Sequence, residues 1–158
     1  MNKPPRRIRW QPTPPRGLRP RLQPDQVRDL GICHFENLDA IASGDATEAT
    51  LWQVAGAALT WSKVAELLQA GEPEMREQLE LASTLVTRYG HTGRVLFSGA
   101  EYQLAKTGVQ VMDQLAEIVD KPTAVIAAEW SERKVNELEA QCRERLGAKA
   151  QNTERAAA

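Results

Sequence analysis

Leu51, Val54, Ala58, Trp61, Ala65 and Leu68 stand alternately three and four residues apart, which draws one apolar stripe along a helix. Trp52, Ala55 and Leu59 widen the stripe over its first half, so that end is predicted to be buried on more than one side. Gly56, Ala57 and Ala58 put little side chain between this helix and a neighbour, which predicts a close approach. The segment opens at Gly44-Asp45-Ala46-Thr47-Glu48, where Asp45 is placed to cap and Glu48 to reach back. It closes at Gly71 with Pro73 behind it.

The same period continues on both sides. Residues 25–43 carry Val27, Leu30, His34, Leu38 and Ile41, a weaker stripe that predicts one helix, with Gly31 as the point where it could break. After Pro73, the positions Met75, Leu79, Ala82, Val86 and Tyr89 predict a helix that Gly90 stops, and the short Gly71-Glu72-Pro73 connection predicts an antiparallel hairpin. Residues 90–97 read as a non-helical link whose Val95-Leu96-Phe97 end packs on the bundle. The capping box Ser98-Gly99-Ala100-Glu101 opens a helix with Leu104, Gly108, Val111, Leu115 and Ile118 on one side and Lys106, Gln110, Asp113 and Glu117 on the other.

Asp120-Lys121-Pro122 then turns into a last helix over residues 123–146. Its first turns are apolar, but its second half keeps only Val135, Leu138, Cys142 and Leu146 among mixed charges. So narrow a seam predicts a helix that runs past the core, either solvated or paired with a copy of itself, with residues 130–146 as the place where such a homodimer would form. Residues 148–158 show no pattern and read as a disordered tail. The fold class predicted is all-α: a small antiparallel bundle of four to five helices over residues 25–147.

Charge divides the chain at one point. Residues 1–24 hold seven of the 20 basic side chains, none of the 21 acidic ones and seven of the nine prolines. That leaves 13 basic against 21 acidic residues, a net charge of −8, for residues 25–158. A disordered, basic, proline-rich arm over residues 1–24 is thus joined to an acidic body. No run approaches 18 apolar residues and no secretory signal is evident, so a cytoplasmic protein without membrane partners is expected. Cys33 and Cys142 have no disulfide or metal spacing and read as two buried thiols.

Candidate chemistry is sparse. Cys33 and His34, with Glu36, Asn37 and Asp39 nearby and His91 far along the chain, admit a Cys/His dyad or a partial metal site; the preferred reading turns Cys33 inward and leaves His34, Glu36, Asn37 and Asp39 to solvent. Gly90-His91-Thr92-Gly93-Arg94 ahead of Ser98-Gly99 could cradle an anion, yet it matches no phosphate loop and reads as a plain connection. Trp52, Trp61 and Trp130 sit at packing positions. No catalytic residue, metal or cofactor is assigned, and the chain is not expected to be an enzyme.

The arm carries the functional expectation. Lys3, Arg6, Arg7, Arg9, Arg16, Arg19 and Arg21 can neutralise phosphates on an extended chain, and Trp10 adds a face on which an unpaired base can stack. No basic recognition helix follows, so sequence readout is not expected. The leading expectation is an accessory or regulatory protein whose arm contacts nucleic acid. The alternative is an adaptor or inhibitor, bacterial or phage, that binds an acidic protein partner through the arm and the helical surface, with Pro12-Thr13-Pro14-Pro15-Arg16 as a polyproline ligand.

Overall fold

The computed structural model describes residues 19–157, with side chains through residue 148. The described chain is all-helical: α1 Pro24–Ser43, α2 Glu48–Leu68, α3 Glu72–Thr92, α4 Gly99–Ile118 and α5 Lys121–Ala157. Because α2 is apolar on more than one side, it lies at the centre. Its Leu51 shares a cluster with Ile41, Leu85 and Val95. Trp52, Ala55 and Ala58 pack with Ala82 and Cys142. Trp61, Val64 and Ala65 pack with Met75, Met112, Leu115 and Val119. The small-residue stretch is where α5 comes close: a methyl at Gly56 would stand 3.5 Å from Val135, and one turn on, the hydroxyls of Thr60 and Ser131 meet at 2.6 Å.

Helix ends follow capping chemistry, with one change from the pattern. Ser98 and Glu101 form the reciprocal box at α4. At α2 the cap is Thr47, paired with Thr50, while Asp45 accepts a hydrogen bond from Ser43 at the end of α1. A threonine hydroxyl nearer the first apolar residue satisfies the same free amides that Asp45 was expected to satisfy. Gly71 has φ of +69° in the α2–α3 turn and a methyl there would come within 3.2 Å of Val111, so both backbone and space favour glycine.

Of two glycines read as weak points, Gly31 leaves α1 the one helix expected, while Gly90 does not stop α3. α1 passes through Gly31, where the missing side chain admits Asp113 of α4, and α3 passes through Gly90, opposite the Cys142 sulfur. The buried face of α4 comprises Ala105, Gly108, Val109, Met112, Leu115 and Ala116, turned from the predicted one, and Ile118 is 49% exposed. α3 makes a close contact with this face at Gly108, which belongs to both the predicted and the observed stripe. The buried Gln78 amide crosses to α4 and donates to the Leu104 carbonyl at 2.9 Å, in the space that Gly108 leaves empty.

The last helix departs furthest from expectation. It continues to Ala157, through the residues read as a disordered tail. Val135, Cys142 and Leu146 of its seam, read above as solvated or paired with a second copy, pack with Trp52, Ala55, Ala82 and the partly buried Leu79 and Val86 of α2 and α3. A narrow stripe among charges looks alike whether the surface it meets belongs to the same chain or another. Only Leu138 of the four stays exposed, at 37%.

The Gln78–Gly108 contact is testable. A Cβ at position 108 would lie 2.0 Å from the Gln78 Cδ, so Gly108→Ala is expected to cost about 2–4 kcal/mol in urea unfolding through overpacking and loss of the Leu104 bond. Adding Gln78→Ala should recover part of the loss; additive costs would contradict the contact.

Candidate nucleic-acid interface at the root of the basic arm

The arm joins the bundle at a buried carboxylate. α4 ends at Ile118, Val119 is extended, and Asp120, only 5% exposed, starts the next helix. Its Oδ1 accepts the Thr123 amide at 2.8 Å, and its carbonyl accepts the Ala124 amide at 3.0 Å. The preceding chain crosses this cap. The Lys121 amide donates to the Pro20 carbonyl at 2.7 Å, Arg21 forms an isolated antiparallel bridge with Asp120, and Arg19 Nη1 stands 3.8 Å from Asp120 Oδ2. Leu22 then packs against the cluster of Trp61, Leu115 and Val119.

α1 begins at Pro24, where the boundary was expected. Residues 19–23 are seated on the bundle before α1 begins. Of the predicted contact residues, Arg19 is already engaged with Asp120, and Arg21 is exposed beside it. Lys3, Arg6, Arg7, Arg9, Trp10 and Arg16 lie outside the described residues, as does the proline motif at residues 12–16.

The Cys33–His34 pair faces the opposite way from the expected one. Cys33 is exposed and His34 is 8% exposed, because His34 occupies the stripe that Leu38 and Ile41 continue. Its Nε2 accepts the Trp61 indole N–H at 3.3 Å, and its Nδ1 is buried with no hydrogen-bond partner. Accepting at Nε2 places the neutral ring's proton on Nδ1. Burial holds the His34 pKa below its usual 6.5. Cys142 is the buried thiol, and burial raises its pKa. Among the described residues no group of three or more His, Cys, Asp or Glu could hold a metal ion.

The helix start suggested as an anion cradle holds an anion of its own. The Glu101 carboxylate accepts the Ser98 amide at 2.7 Å and meets Arg88 through both oxygens, at 3.0 and 2.5 Å, while Arg88 also donates to the Leu96 carbonyl. The Arg88 hydrogen bond, with the Ser98 amide assisting, lowers the Glu101 pKa to about 2. Arg94 is set apart from this arrangement and lines a polar groove with Thr47 and Glu48. Trp52 and Trp61 are buried as expected. Trp130 is partly exposed, with the Lys63 ammonium 5.7 Å from its ring centre.

Comparison with protein-family models, curated proteins and solved structures finds no match to this chain. From the sequence, Asp120 is read only as part of a turn and Arg88 is not singled out. Asp120 had a readable signal: an aspartate two residues before a proline at a predicted helix start marks an N-cap. Arg88 had none, since its partner lies 13 residues away across a turn.

Acid should destabilise the fold in two stages. His34 resists protonation when folded, so stability is full above its unfolded pKa and falls as pH drops below 6.5. Glu101 contributes above its unfolded pKa of about 4.5 and loses that contribution as pH falls toward 2. Urea midpoints against pH should therefore lose the upper decline in His34→Gln and show a shallower lower one in Glu101→Gln. Profiles superimposable on the parent would contradict both assignments.

Proposed function

We propose that the chain is a non-catalytic accessory or regulatory protein whose basic N-terminal arm contacts nucleic acid without strong sequence readout. One observation carries the reading: the basic arm is charge-segregated from the acidic body and joined to it through a seated root. Five cations, Lys3, Arg6, Arg7, Arg9 and Arg16, precede Arg19, and no acidic residue lies among them. Arg19 is held at Asp120, so the root fixes where the arm departs while the upstream cations supply the contact. Phosphate neutralisation with counterion release needs no recognition helix, and Trp10 adds stacking on unpaired bases. The body contributes no matching basic face, its net charge over residues 25–158 being −8.

A binding role is further supported by the separation of the candidate reactive groups. Cys33 is exposed while His34 is turned inward against Trp61. A cytoplasmic location belongs to the same proposal and is supported by the two unpaired cysteines. No described helix is long and apolar enough to cross a membrane.

The test is titration with single- and double-stranded oligonucleotides at two salt concentrations, using the full chain and a form lacking residues 2–18 so that the root stays seated. The full chain should bind single strands of unrelated sequence. Deletion should reduce the slope of log affinity against log salt by about 3 to 4 if the five cations all contact phosphate. No arm-dependent binding, or an unchanged slope, would defeat the reading. Recovery of one protein partner with and without nuclease, lost on Pro14→Ala with Pro15→Ala, would favour the adaptor instead.

A further inference from the structure

A groove of about 480 Å³ runs between α1 and α4, lined by Val27, Gly31, Ile32 and Phe35 on one side and by Asp113 and Glu117 on the other. Two features set it apart from an ordinary crease between helices. Ile32 and Phe35 are 49% and 39% exposed, so large apolar side chains stand open at its edge. Its charge is also one-sided. Glu36 and Asp39 add two further carboxylates, and the cation at its end, Arg28, is paired with Asp29 at 3.1 Å. Burial, followed by the charge of Glu117, holds the Asp113 carboxyl above its usual range, as befits a carboxylate without a countercharge.

We infer that this groove is the intramolecular docking site of the chain's own residues 1–18, which lie there when nucleic acid is absent. The inference rests on the reading of the arm as a nucleic-acid contact element, and adds its regulation. Three observations favour this occupant. The first is chemical fit. Arg6, Arg7, Ile8, Arg9 and Trp10 join cations to two large apolar side chains without an acid, complementing apolar residues flanked by four carboxylates.

The second is position. Arg19 is fixed at Asp120, three residues beyond Glu117, so the arm departs beside the end of α4 that borders the groove. Asp113 lies about 8 Å back along α4 from its end at Ile118, two residues before Asp120, at the helical rise, whereas the nine residues from Arg19 to Trp10 can span about 30 Å. The third is tethering. A short linker holds the arm near the groove at an effective concentration on the order of millimolar, which favours the chain's own arm over that of a second copy in dilute solution.

Docked cations cannot neutralise phosphates at the same time, so groove and nucleic acid compete for the arm. The observed nucleic-acid affinity is reduced by the fraction of arms that are free. Weakening the groove should therefore tighten binding, although the mutated residues touch no nucleic acid.

The test compares amide NMR spectra of the full chain, the form lacking residues 2–18, and the full-length Asp113→Asn, Glu117→Gln variant, all without nucleic acid. Amides of Gly31, Ile32, Phe35 and Asp113 should shift between full chain and deletion, independently of protein concentration. Adding salt, or the double substitution, should move the full-length spectrum toward that of the deletion. Unperturbed groove amides would overturn the inference, and shifts that vanish on dilution would assign the groove to another copy's arm and overturn it equally. These readings hold whether or not an oligonucleotide binds. A failed oligonucleotide titration with intact groove shifts would sink only the nucleic-acid reading. If both hold, the double variant should bind a single strand about three- to tenfold more tightly; unchanged affinity would overturn the competition.

Discussion

A single buried carboxylate joins the two parts of this molecule. Asp120 ends the connection from α4, caps α5 through the Thr123 amide, and faces the chain that enters from the arm. A carboxylate this buried needs hydrogen bonds and countercharge, which the Thr123 amide and Arg19 supply. One residue thereby marks where the longest helix starts and where residues 19–21 cross the bundle. Directly after this crossing, the partly buried Leu22 packs against the Trp61–Leu115 cluster.

Around that junction the bundle is organised by small residues at helix crossings. Gly56 admits Val135, Gly31 admits Asp113, and Gly108 admits the side chain of Gln78. These approaches bring polar pairs such as Thr60–Ser131 and Gln78–Leu104 into the interior, where each group finds a partner. His34 Nδ1 is the exception among buried side-chain polar atoms in the described residues. The α1–α4 crossing also leaves carboxylates along a half-covered apolar surface, and so gives the acidic body a feature that a cationic segment can recognise.

Sequence periodicity captured the stripe of α2, where Leu51, Ala58, Trp61 and Ala65 are buried; on α3 it found Met75 and Ala82 but pointed to Leu79, Val86 and Tyr89, which are only partly buried, while Gln78, Leu81 and Leu85 are buried. It captured the Ser98–Glu101 box because capping is local. It failed where the outcome depends on a partner distant in sequence. His34 and Cys33 are neighbours on α1, and which turns inward depends on the Trp61 indole of α2. The buried face of α4 meets Gln78 of α3 at Gly108. The seam of α5 gives no sign that its partners are α2 and α3 of the same chain. The arm's cations were visible at once as a charge block, but its seated root was not, since it depends on backbone hydrogen bonding between residues a hundred positions apart.

The central claim, that residues 19–22 are fixed across the start of α5 whatever precedes them, can be read at one amide. Lys121 lies in the first turn of α5, where an amide has no acceptor within its own helix, so its protection reports the Pro20 carbonyl. Hydrogen exchange at Lys121 should be slowed as strongly as at core amides of α5, and should remain so when residues 2–18 are removed. Exchange at the rate of an open amide, or loss of protection on that deletion, would contradict the account.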